Sequence, residues 1–192
     1  MVTEDGYILA VYRIPGKVGE GNSRGKPPIL MQHGVFDSAY AWIVNYADNS
    51  PAFIAVEQGY DVWLGNSRGN TYSRAHVELD PDRDASEFWA FDWQEMGLGD
   101  LPAVIDYILA VTDQPKIAYV GHSQGTTQMF YALAENEAYF QDKVSLFVAL
   151  APVTKITNQK ADLVAVAADI YTVIDDTAEL FHMYEIGGAN WF

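Results

Sequence analysis

Apolar residues along this chain fall into two spacings. Short continuous runs, which mark strands buried on both faces, alternate with stretches whose apolar positions recur every three or four residues, which mark amphipathic helices. Residues 7–14 combine β-branched and aromatic side chains and are closed by Pro15, which predicts a strand near a sheet edge. Pro28–Gln32 is a short apolar run stopping at His33-Gly34 and predicts an interior strand. Ser50-Pro51 opens a helix, with Ser at the N-cap and Pro in the first turn, and Gly59 closes it after residues 52–58. Residues 60–64 predict the next strand. A helix then starts at Asp100-Leu101-Pro102 and keeps helical spacing at Leu101, Val104, Ile105, Ile108 and Leu109. Residues 116–120 form a further strand, 126–133 a helix, and Val144–Leu150 another buried strand. Strands alternating with helices imply an α/β fold, a mostly parallel sheet with helices on both faces.

Composition narrows the function classes. Of 192 residues, 49% are hydrophobic, enough for one globular core and against disorder. The net charge of −15 opposes binding to nucleic acid or anionic bilayers, and such an acidic surface serves solubility. With no Cys there is no disulfide framework and no thiolate metal site; the compartment is left undecided. The first six residues are polar, with no basic stretch leading into an apolar one, so no secretory signal is read there. The longest apolar run, near residues 146–153, is far too short to span a bilayer. Asn22, Asn49, Asn66 and Asn70 all lack the hydroxyl residue two positions on that glycosylation needs. The one low-complexity stretch, residues 16–28, predicts a surface loop between two strands.

Chemistry concentrates in Gly121-His122-Ser123-Gln124-Gly125, placed between a predicted strand and a predicted helix. That setting fits a nucleophile elbow, a sharp turn lifting a serine hydroxyl above the sheet, with glycines where backbones crowd. Ser123 is therefore the candidate nucleophile. Its attack on a carbonyl creates an oxyanion, and the amide of the following residue, Gln124, is one expected donor to it. A second donor comes from the loop after an upstream strand, which His33-Gly34-Val35 occupies. No nucleotide-binding glycine loop and no metal-ligand spacing appears, so no cofactor or metal is expected.

With these motifs placed, the chain resembles the acid lipases of the α/β-hydrolase superfamily, the group of gastric and lysosomal acid lipases. The resemblance runs through Val2-Thr3-Glu4-Asp5-Gly6-Tyr7, Gln32-His33-Gly34, the segment 59–70 around Trp63 and Arg68, Glu87-Phe88-Trp89-Ala90-Phe91, Asp100-Leu101-Pro102-Ala103, the elbow, and Ala149-Leu150-Ala151-Pro152-Val153. It implies an α/β-hydrolase fold and hydrolysis of neutral lipid esters, triacylglycerols or steryl esters, at a lipid–water interface. It also implies a secreted or lysosomal setting. Val35 aligns with the second oxyanion donor, where leucine is common; a backbone donor tolerates that exchange. Residues 1–152 correspond to the N-terminal part of the hydrolase core, and 153–192 to the start of a cap or lid. Of the aromatics Trp42, Trp63, Phe88, Trp89, Phe91 and Trp93, most are expected in the core rather than against lipid.

The base is harder to place. His122 adjoins Ser123, so its side chain leaves the elbow in another direction. His33 sits on the oxyanion loop, and His76 precedes the nucleophile, against the order Ser, acid, His. His182 follows Ser123, but Asp175 and Asp176 lie too close before it for the strands and helices that separate acid from base. The sequence is thus expected to lack the catalytic acid and base, as an incomplete, inactive piece of a hydrolase whose start also matches the interior of a longer precursor. Two other readings stay open: a general carboxylesterase of the same fold, and a non-catalytic relative that binds without turnover.

Overall fold

One sheet organises the computed structural model, which describes residues 1–20 and 24–155. Its strands are β1 (Tyr12–Ile14), β2 (Pro28–Gln32), β3 (Asp61–Leu64), β4 (Ile117–His122) and β5 (Val144–Leu150), in the order β1-β3-β2-β4-β5. β1 runs antiparallel to β3, and all other pairs are parallel. The helices are α1 (Pro51–Glu57), α2 (Ala85–Phe88), α3 (Trp93–Glu95), α4 (Leu101–Thr112), α5 (Gln124–Glu135) and α6 (Glu137–Lys143). Parallel strands joined through helices are the α/β architecture the sequence predicts.

The two faces of the sheet carry separate cores, as alternation along a strand requires. Leu30, Trp63, Ile117 and Tyr119 pack against Leu101, Val104, Ile105 and Ile108 of α4 and Met129 of α5. On the opposite face Ile29, Met31, Val62 and Leu64 meet Trp42, Ala52 and Val56. Successive residues of β2 thus serve opposite layers, which explains why that strand is buried along its whole length.

Several boundaries differ from the sequence prediction. Only Tyr12–Ile14 of residues 7–14 joins the sheet, because side chains intercept the backbone upstream. The Ala10 amide donates to Ser73 Oγ at 3.0 Å and its carbonyl accepts from Asn66 Nδ2 at 3.0 Å. Tyr7 instead makes a lone bridge to His76 and sends its hydroxyl to the Phe88 carbonyl. Ser50 precedes α1 as predicted, yet its hydroxyl donates back to the Asn45 carbonyl at 2.8 Å and caps nothing. The turn before α4 is π-helical over Met96–Asp100, so Asp100 enters the helix without a break. β5, expected to be buried, lies at the sheet's edge among the described residues, with Leu146 56% exposed. Trp42, Trp63 and Phe88 are core as expected, whereas Trp89, Phe91 and Trp93 are half-buried.

Candidate active site

β4 runs straight into α5 with one residue between them, Ser123, whose backbone is φ 51°, ψ −117°. This is sterically costly for a residue with a β-carbon, on the order of 1–3 kcal/mol, and survives only where surroundings impose it. The surroundings do so from both sides. The Ser123 amide donates to the Leu150 carbonyl at 3.0 Å, and its carbonyl accepts from the Thr126 amide at 2.9 Å and hydroxyl at 2.6 Å. Thr126 Oγ1 is itself held by the Val153 amide at 2.9 Å. The residues following β5 therefore brace the turn.

The flanking glycines answer to distance. A β-carbon on Gly121 would lie 2.7 Å from the Gly125 carbonyl oxygen, and one on Gly125 would lie 2.6 Å from the Gln32 carbonyl oxygen. Both obstacles are backbone, which has little room to yield. Close approach of this kind seats the first turn of α5 against the end of β2. There the chain leaves β2 through His33, Gly34 and Val35 and returns to a short 3₁₀ turn at Ala39–Trp42.

Ser123 is half-buried, and among the described residues its hydroxyl makes no hydrogen bond. Val35 and Gln124 both line one cleft of about 780 Å³, whose wall also includes Phe36, Trp89, Phe91 and Met96. Gln124 is the first residue of α5, where amides have no partner within the helix. Phe36 stands 83% exposed at φ 57°, a second strained non-glycine residue beside the same cleft. Gly69, at φ 80°, is needed for that wall: a β-carbon there would lie 2.5 Å from the Phe91 ring and 2.7 Å from Trp89. A second groove of about 720 Å³, bordered by Glu4, Asp5, Glu95 and Asp106, contains none of these groups.

The histidines separate clearly. His76 Nε2 lies 2.7 Å from the Asp5 carbonyl, while its Nδ1 accepts from the Glu78 and Leu79 amides, both at 3.0 Å; it ties the N-terminal segment down. His122 is exposed beside Gly34. His33 is buried, and burial pushes its imidazole below the ordinary histidine pKa. His182, Asp175 and Asp176 lie outside the described residues, as does most of 153–192, the segment expected to begin a cap. Among the described residues no group of three or more acidic or imidazole side chains is placed to hold a metal ion.

Sequence reasoning missed the support beneath the cleft. Arg68 is fully buried, its Nε 2.7 Å from Asp100 and its Nη1 2.5 Å from Asp5, with the guanidinium 4.1 Å from the centre of the Tyr7 ring. The Asp100 carboxylate also accepts the Arg68 amide at 2.8 Å. An ion triad, with Arg68 and Asp100 buried and Asp5 exposed, thus joins the N-terminal segment, the loop after β3 and the start of α4. Its sequence trace is the run of polar residues 66–70 directly after an apolar strand, which periodicity alone does not interpret.

The sequence profile of the alpha/beta hydrolase fold matches residues 27–171, and that of a partial alpha/beta-hydrolase lipase region matches residues 1–46. The chain belongs to the alpha/beta hydrolase fold family. Among similar proteins, gastric triacylglycerol lipase of Mus musculus is 55% identical over 157 residues, covering 81% of this chain and 39% of that protein. Human lipase member K is 49% identical over 157 residues, 81% of this chain and 39% of the relative. Lipase lipl-1 of Caenorhabditis elegans is 44% identical over 193 residues, 100% of this chain and 47% of the relative. The resemblance to acid lipases therefore extends over most of the chain, while the chain spans less than half the length of these relatives. Epoxide hydrolase I of potato superposes with a TM-score of 0.57 at 20% identity, covering 88% of this chain and 44% of that structure, a likeness of fold alone. In this α/β-hydrolase chain the strained Ser123 lies on a strand-to-helix turn, the local geometry that a nucleophile elbow requires.

Proposed function

We propose that this chain carries the nucleophile and oxyanion loop of a serine hydrolase that cleaves neutral lipid esters, triacylglycerols or steryl esters. The single observation that carries the reading is Ser123: a non-glycine residue at φ 51° between β4 and α5, its hydroxyl without a partner among the described residues. In the reaction Ser123 Oγ attacks the ester carbonyl carbon while a base takes its proton. The carbonyl oxygen becomes an anion held by the amides of Val35 and Gln124. Collapse expels the alcohol and leaves an acyl-enzyme, which water then hydrolyses. Each oxyanion donor contributes about 2.7–4 kcal/mol to lowering the barrier.

Phe36, Trp89, Phe91 and Met96 give the cleft an apolar wall suited to acyl or steryl carbon. The triacylglycerol lipases among the similar proteins support that substrate class and a secreted or lumenal setting. On this reading lipid meets the chain as substrate at a lipid–water interface, in keeping with the triacylglycerol lipases among its relatives. Among the described residues no helix is long and apolar enough to cross a membrane. Residues 1–152 supply the core and 153–192 begin a cap over the acyl pocket.

The test uses the full-length protein and p-nitrophenyl esters of short and long acyl chains. Long acyl esters should be hydrolysed, and Ser123→Ala should lower turnover by about three or more orders of magnitude and abolish fluorophosphonate labelling. Activity within about tenfold of the parent would sink Ser123 as nucleophile; a preference for acetate over every long chain would favour a general carboxylesterase.

A further inference from the structure

We infer that His33 is a positioning residue, fixed in its Nδ1–H tautomer and aiming the Val35 amide at the developing oxyanion. The inference rests on the proposed oxyanion role of Val35, and its geometry begins on the far side of the ring. Two donors converge on His33 Nε2: the Ser67 backbone amide at 3.1 Å and the Asn70 side-chain nitrogen at 3.2 Å. A backbone amide can only donate, so Nε2 must present its lone pair.

The Asn70 amide cannot turn round without loss. Its oxygen accepts the Tyr72 and Ser73 amides, both at 3.0 Å, and its nitrogen also donates to Asn66 Oδ1 at 2.9 Å. Reversal would break all three. The ring proton therefore sits on Nδ1, which lies 2.7 Å from the Gly34 carbonyl oxygen and donates to it.

That carbonyl and the Val35 N–H belong to one planar trans peptide, with C=O and N–H pointing in opposite directions. Holding the oxygen from the buried side turns the N–H outward, to the cleft that Val35 lines. Accepting a hydrogen bond at the oxygen also polarises the peptide and strengthens the N–H as a donor. The loop is pinned again downstream, where the Ala39 amide donates to Asn66 Oδ1 at 3.0 Å. Between the pins lie exposed Val35 and strained Phe36, which have no comparable anchors of their own among the described residues.

Ser67 connects this apparatus to the rest of the site. Its hydroxyl oxygen accepts from Gln32 Nε2 at 2.8 Å, at the end of β2, and from Gln128 Nε2 at 3.1 Å, on α5. The loop after β3 thereby holds in one register both elements that supply the proposed oxyanion donors.

Two measurements on the full-length protein test this. Long-range ¹H–¹⁵N spectra of histidine-labelled protein at neutral pH should show His33 protonated at Nδ1 and bare at Nε2; the reverse tautomer overturns the inference without touching the lipase reading. In kinetics, His33→Phe should lower kcat by about tenfold or more with KM within about threefold, and slow fluorophosphonate labelling of Ser123 in step. His33→Asn, which keeps a short donor toward Gly34, should recover a large part of that loss. Val35→Pro, which deletes the amide hydrogen itself, separates the two levels. If Val35→Pro is inactive and His33→Phe is not, His33 has no positioning role. If folded Val35→Pro is fully active, the oxyanion reading falls and this inference falls with it.

Discussion

Gly34 lies so close to Ser123 that a β-carbon on it would sit 3.0 Å from Ser123 Cβ and 3.2 Å from His122 Nδ1. The loop after β2 and the elbow are thus in contact through atoms that leave no space for a methyl group. Gly34→Ala should displace the loop by a few tenths of an ångström, enough to misdirect the Val35 amide. The expected result is a fall in kcat of about tenfold or more with melting temperature little changed. Steady-state kinetics beside thermal unfolding would check it; unaltered kcat would show that the loop yields without consequence.

Ser123 sits where glycine would be at ease. Replacing it with glycine removes the β-carbon that makes φ 51°, ψ −117° costly, although the unfolded chain also gains freedom. The strain, about 1–3 kcal/mol, should outweigh the added entropy, about 0.5–1 kcal/mol. Ser123→Gly is therefore expected to be inactive yet more stable than Ser123→Ala, read as a higher midpoint in urea. Equal midpoints would mean the strain at the serine is no larger than the entropy glycine adds to the unfolded chain, about 0.5–1 kcal/mol.

Much of this arrangement was legible in the residues because it rests on local rules. The strand before Ser123, the helix after it and the two glycines all follow from short-range spacing, and the structure places them together. Residues 7–14 misled for a physical reason: β-propensity sees the side chains, but Asn66 and Ser73 take the Ala10 backbone groups a ladder would need. Arg68 was recognisable as part of a motif, yet its burial between Asp5 and Asp100 depends on partners 63 and 32 positions away. His33 read as a loop residue because its tautomer is decided by Ser67 and Asn70, which no pattern around His33 reveals.

Gly125 offers a test of packing rather than chemistry. A methyl group there would meet the Gln32 and His33 carbonyl oxygens at 2.6 and 2.8 Å, so α5 would have to move away from the end of β2. Overpacking against backbone costs about 1–3 kcal/mol or more. Gly125→Ala should lower both unfolding stability and activity, unlike Gly34→Ala, which should spare stability. Retained stability in Gly125→Ala would show that the helix shifts freely, contrary to this close contact.

Acid pH should act on two buried groups in opposite directions. Burial lowers the His33 pKa below its ordinary 6.5, so under mildly acidic conditions the unfolded chain takes up a proton that the folded chain refuses. Stability from this residue is complete above 6.5 and falls as pH drops toward the depressed value. Asp100 behaves conversely. Burial pushes its carboxyl from 3.8 up to about 6, against the opposing pull of Arg68, so the folded chain binds a proton where the unfolded chain does not. Its contribution rises as pH falls through about 6 and is complete below 3.8. Urea unfolding of parent, His33→Asn and Asp100→Asn at pH 7 and pH 5 would separate the two. Relative to the parent, His33→Asn should lose less stability on acidification, and Asp100→Asn should lose more. The same pH response in all three proteins would show that neither group titrates in the fold over this range. A loss smaller than the parent's in Asp100→Asn would show instead that Arg68 outweighs burial and keeps the carboxylate charged.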